Sequence, residues 1–131
     1  MGFPVDIVYI DRAEQELGAV FPEDFRLSVM NDNGGVSVEW MGQEWLVMPI
    51  RDDSNVTRLK RTWCDIIVET RQMRSWGLPD HFVVFADSGD GNYLMFRISD
   101  GRMESQVYVW DHESGIPFGT GVSFGQLKPI E

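Results

Sequence analysis

The run Asp87-Ser88-Gly89-Asp90-Gly91-Asn92 sets two carboxylates, a hydroxyl and an amide in a glycine-rich stretch, the composition from which hard-cation loops are made. An EF-hand loop needs oxygen side chains at positions one, three and five, Gly at six and Glu at twelve. Counted from Asp87, those positions hold Asp87, Gly89, Gly91, Asn92 and Ile98. The match ends after its first position, so the stretch reads as an acidic turn joining two strands, and no metal is expected.

Asp111-His112-Glu113 places an imidazole between two carboxylates, an arrangement that suits a proton shuttle or half of a metal site. His81 is the only other imidazole and Cys64 the only thiol, and none of these shows a metal-ligand spacing. A Cys64 to His112 nucleophilic pair is disfavoured because Cys64 sits beside Trp63 on the apolar flank of a helix, where a thiol is inert. No G-x-S-x-G elbow occurs. Gly115, Gly119 and Gly121 have the wrong spacing for a phosphate loop, and no Lys lies near Gly89 and Gly91. Twenty-one acidic residues supply some carboxylate pair at a glycosidase separation by chance alone, so a small hydrolase stays an alternative without a signal of its own. Neither a catalytic residue nor a cofactor is expected.

These residues need a scaffold, and the chain has material for one. Its 131 residues match one domain, read here as spanning 1–131. Hydrophobic residues make up 43% and aromatics 12%, enough for a core without disulfides, which a single cysteine excludes. The net charge of −10 repels phosphate backbones and anionic lipid, so nucleic acid and membrane are poor partners and a cationic protein a good one. Residues 1–50 carry nine acids and two bases, residues 51–74 four and six, residues 75–131 eight and three. No secretion signal and no apolar run near the roughly 20 residues of a membrane span occur, so a cytoplasmic protein is expected.

The elements follow from periodicity. Ile10, Ala13 and Leu17 form a helical stripe ending at Gly18; Pro22 opens a second helix in which Phe21, Phe25 and Val29 stack at intervals of four, stopped by Asn33, Gly34 and Gly35. Val36, Val38 and Trp40 alternate as a strand, and residues 44–50 return as its partner. Val56, Leu59, Trp63, Ile66, Ile67, Thr70 and Met73 predict one long helix capped by Ser54, with Trp63 on its buried stripe. Residues 82–86 are an apolar run typical of a central strand. Residues 93–98 form the next strand, and an Asp100-Gly101 turn leads to a returning strand through Val107, Val109 and Trp110. Residues 113–121 read as loop, and Ser123 caps a last short helix containing Phe124 and Leu127. The fold class is α+β: short N-terminal helices and one long central helix packed on a mainly antiparallel, curved sheet.

The order of these pieces resembles the SUKH superfamily. Glu16-Leu17-Gly18, Phe21-Pro22-Glu23-Asp24-Phe25 and Asn33-Gly34-Gly35 resemble its opening. Leu78-Pro79, residues 82–86, 87–92, Tyr93, Val107-Tyr108, Trp110-Asp111-His112 and Ser123-Phe124 follow in its order, from about residue 11 to 128. Phe21 stands where that family more often has Leu. The resemblance implies a non-enzymatic α+β domain: bacterial members are commonly immunity proteins that neutralise secreted toxins, often nucleases, and fungal relatives are regulatory scaffolds connected with cell-wall synthesis. Gly18, Pro22, Asn33, Gly34, Gly35 and Gly91 would be corners of that fold.

Charge supports the same reading. A nuclease toxin is basic because it holds phosphates, and an acidic protein is steered to it. The expected partner is a protein, a basic toxin domain, met by an acidic, aromatic-bearing sheet face. Asp87, Asp90, Asp111 and Glu113 would supply charge, and Trp40, Tyr93, Tyr108 and Trp110 are the candidate anchors, with Trp110 or Tyr108 desolvated. A regulatory scaffold binding an ordinary cellular protein is the alternative.

Overall fold

The structure, a computed structural model, describes residues 3–130. Helix α1 (Ile7–Leu17) starts where the Asp6 carboxylate accepts the Val8 amide at 3.1 Å, and ends at Gly18, whose left-handed φ of 74° turns its N–H back to the Glu14 carbonyl. Helix α2 (Glu23–Asn31) opens at Pro22 with Glu23 and Asp24 in its first turn. Phe25, fully buried, is the hub of an aromatic cluster: its ring lies within 5.0 to 5.6 Å of Phe21, Phe85, Phe96 and Phe124, with Phe85 and Phe96 stacked at 4.2 Å. Glu14, though buried, is satisfied, accepting the Phe21 amide at 2.8 Å and pairing with Arg26 at 2.5 Å.

The described residues form a seven-stranded antiparallel sheet: β1 (Ser37–Trp40), β2 (Gln43–Val47), β3 (Phe82–Asp87), β4 (Tyr93–Ser99), β5 (Arg102–Trp110), β6 (Pro117–Ser123) and β7 (Lys128–Ile130), in the spatial order β6-β5-β4-β3-β2-β1-β7. β3 takes the middle place, as its unbroken apolar run requires, and Phe82 to Ala86 are all buried. The register shifts in the β3–β4, β4–β5 and β5–β6 pairs, and such irregularities bend strands; the sheet curls into a half-barrel. Phe25 and its neighbours pack against this sheet.

The central helical segment falls where expected but is bent, as α3 (Val56–Arg61) and α4 (Ile66–Ser75). Thr62 breaks it: its hydroxyl donates to the Arg58 carbonyl at 2.9 Å and accepts the Asp52 amide at 3.0 Å, and the Asp65 carboxylate then caps a fresh start by accepting the Ile67 and Val68 amides. The restart rotates the periodicity. Trp63, expected on the buried stripe, is 70% exposed, and Val56 is exposed too. Asn55 rather than Ser54 caps α3, accepting the Arg58 amide; the Ser54 hydroxyl is spent on Asp52.

Two further strands complete the sheet, β6 within the stretch expected to be loop and β7 beyond the expected last helix. β6 contains Pro117, Gly119 and Gly121, which hide a strand, yet pairs with β5, and β7 with β1, as edges of the sheet. β2 reaches only the far half of β3. Along the other half α4 takes its place: the Thr70 hydroxyl accepts the Val84 amide at 3.1 Å and Arg74 donates to the Phe82 carbonyl at 3.2 Å.

Candidate partner-binding surface

Turns of an antiparallel sheet alternate between its two ends, and the register brings three connections to one of them: the β1–β2 turn at Met41 and Gly42, the loop Ser88 to Asn92, and the connection Asp111 to Ile116. Residues 36–47, 86–96 and 105–123 contain Glu39, Glu44, Asp87, Asp90, Asp111 and Glu113 and no Lys or Arg; the one base beside them is Lys128 of β7, the register partner of Glu39. Arg97 and Arg102 flank the hairpin turn at the opposite end, where Arg97 lies 3.6 Å from Glu104.

Asn92 ties the two acidic connections together. Its side-chain oxygen accepts the His112 amide at 3.1 Å and contacts His112 Nδ1 at 2.8 Å. Asp111 accepts the Glu113 amide at 2.9 Å, and Asp87 accepts the Gly89 amide at 2.6 Å. The Ser88 hydroxyl donates to Asp90, and that bond holds the Asp90 carboxyl below its ordinary range, so it stays ionised to lower pH. Four carboxylates thus sit on turns braced by local hydrogen bonds.

A groove of about 370 Å³ opens in this end, lined by Trp40, Met41, Gln43, Trp45, Asn92, Val109, Asp111, Phe118, Gly119 and Thr120. Met41 is 84% exposed and holds a positive φ of 54°, unusual for a side chain without a short polar group. A second groove, of about 380 Å³, lies between α4 and the strand ends, with Glu69, Gln72, Met73 and Trp76 on one side and Gly91, Tyr93, Trp110 and His112 on the other. Of the sequence candidates, Trp40 and Asp111 therefore share the first groove and Tyr93 and Trp110 the second. Asp90 and Glu113 are exposed on the turns, and Asp87 borders a shallow depression beside β2. Tyr108 joins neither groove: its hydroxyl donates to Glu104 at 2.9 Å and its ring packs on Phe82. Trp110 is 7% exposed, a groove wall rather than a free anchor.

Sequence reasoning passed over Met41, Phe118 and Trp76, all exposed. An apolar residue immediately before the turn glycine, Gly42, was the available signal for Met41; Phe118 was hidden by the glycines around it. Among the described residues no three of His, Cys, Asp and Glu are placed to hold a metal ion, and no helix is long and apolar enough to cross a membrane. Cys64 donates its S–H to Glu69 at 2.9 Å, and that bond, with burial, pushes the thiol up to about 11.

The chain is thus an α+β half-barrel with a bent helix lying along half of β3 and an acidic, aromatic-lined turn end. Residues 4–127 match the SMI1 / KNR4 family (SUKH-1), and the chain belongs to that family. No curated protein and no solved structure matches the chain.

Proposed function

We propose that this chain is a non-enzymatic binding protein of the immunity type, which docks its acidic turn end over the cleft of a basic toxin domain and occludes it. The observation that carries the reading is the charge segregation: one end of the sheet gathers six carboxylates against a single base, Lys128 of the edge strand β7, which pairs in register with Glu39. A phosphate-binding cleft attracts such a surface over a Debye length and loses to it the room its substrate needs. Family membership supports partner binding, immunity and regulation both being roles that the resemblance implies.

The test is coexpression with the toxin domain encoded beside this chain's gene, followed by affinity measurement from low to high salt. Rescue of growth, with affinity that falls as salt rises and that drops when Asp90 and Glu113 are replaced together by Asn and Gln, supports the reading. No rescue, together with recovery of a housekeeping complex whose affinity ignores salt, overturns it in favour of a regulatory scaffold.

A further inference from the structure

The groove between α4 and the strand ends has a composition of its own. Glu69, Gln72, Met73 and Trp76 recur at helical spacing and present one face. Opposite them, Tyr93 and Trp110 are register partners on β4 and β5, so their side chains stand together on the same side of the sheet. Trp76, at the end of α4, is 77% exposed at the rim. Gly91 closes the far wall so tightly that a Cβ there would lie 3.1 Å from the His112 ring. Two independent facts give this groove its polarity.

The first is charge. Glu69 is the one carboxylate in the lining, and no Lys or Arg lines it. The two bases of α4 are directed elsewhere: Arg74 donates to the carbonyls of Asp80 and Phe82, and Arg71 lies 3.9 Å from Glu16. The second is aromatic content: Trp76, Tyr93 and Trp110 are three of the eight residues that line it.

We propose that this groove receives a single Arg or Lys side chain of the partner protein. Three aromatic rings offer π faces to a cation, Met73 offers contact to its methylene stem, and Glu69 offers the counter-charge. An apolar anchor would cover Glu69 without compensation, and an anionic one would be repelled. The inference rests on the basic-partner reading and adds to it the chemistry of one contact and the place where it is made.

The experiment uses the intact chain and two small probes, L-argininamide and its neutral isostere L-citrullinamide, followed by nitrogen-15 NMR. The expected result is a saturable shift of the Trp76 and Trp110 indole N–H signals and the Gly91 amide with argininamide. The Trp40 and Trp45 indoles stay still, and citrullinamide has no matching effect. Trp76→Ala and Glu69→Gln should each weaken the response by about tenfold. Equal shifts with citrullinamide, or shifts confined to the Asp90 and Glu113 turns, overturn the inference. A basic toxin domain that binds both variants as tightly as the parent chain, still with strong salt dependence, removes this inference and leaves the proposed function standing. Argininamide seated in the groove of a chain that no basic domain binds does the reverse.

Discussion

Asn33 acts as a strand partner for Ile50. Its side-chain oxygen accepts the Ile50 amide at 2.7 Å and its side-chain nitrogen donates to the Ile50 carbonyl at 2.8 Å, while its own backbone amide donates to Phe3. Both residues are buried, so one side chain satisfies two backbone groups beyond reach of water. Asn33→Ala strands both groups at about 1–3 kcal/mol each. Chemical denaturation should show a loss of at least about 2 kcal/mol; a loss within the scatter of surface substitutions would contradict the two-point bond.

The next residue extends the same device. Gly34 has a φ of 80°, and a Cβ there would sit 2.8 Å from the Pro49 Cβ, whereas Gly18, at 74°, would meet nothing within 4 Å. Gly18→Ala therefore carries only the left-handed strain, about 1 kcal/mol, and Gly34→Ala carries that plus a clash with a rigid ring. Thermal melts should rank Gly34→Ala clearly below Gly18→Ala, and equal melting temperatures would refute the close approach.

These positions also show what the chain discloses in advance. The strand through residues 82–86 was legible because an unbroken apolar run between turn residues has few other uses, and the strand through 93–98 because it follows the acidic turn and precedes an Asp-Gly hairpin. β6 was not, because Pro117, Gly119 and Gly121 erase the alternation while pairing with β5 still organises the backbone. The bend at Thr62 was hidden because it depends on a hydroxyl reaching Asp52, ten residues away in the chain. Likewise the acids at 87, 90, 111 and 113 were visible as residue types. Their gathering with the Met41 turn required strand order, which short-range patterns do not carry.

Met41 shows conformational strain at an exposed groove lip. A left-handed φ suits Asn or Gly, not an unbranched apolar side chain, and Met41 is 84% exposed, so burial within the chain does not offset the cost. Met41→Asn should raise stability by up to about 1 kcal/mol in a denaturant titration. The same substitution should weaken binding of the partner if this lip is part of the docking face. A variant neither more stable nor weaker in binding would leave Met41 without a role.

Asp52 makes stability depend on acid. Burial raises its carboxyl, but the Ser54 hydroxyl and amide and the Arg58 guanidinium at 2.9 Å outweigh that and hold it below its ordinary value. Above the unfolded value, about 3.9, the full contribution is present; as pH falls from there toward the lower folded value, the unfolded chain takes up the proton first and stability is lost. Buried Asp65 has the opposite sign, its carboxyl being raised, so the informative quantity is the difference between parent and Asp52→Asn. Melting temperature should fall more steeply below about pH 4 in the parent than in the variant, and parallel curves would show that Asp52 is not held low.

Glu69 has two roles that one substitution separates. Its carboxylate accepts the Cys64 S–H, and this bond together with burial raises the thiol to about 11, which leaves little thiolate at neutral pH. Removing the charge in Glu69→Gln withdraws the largest cause of the shift and leaves burial in place. The alkylation rate with iodoacetamide at pH 8 should then rise, by up to about a hundredfold if the thiol returned to its ordinary value of 9.0. Because only the thiolate reacts, the rate should climb tenfold per pH unit below the thiol pKa and level off at a lower pH in the variant than in the parent chain. An unchanged rate would mean that packing around Cys64, and not the Glu69 charge, keeps the thiol quiet.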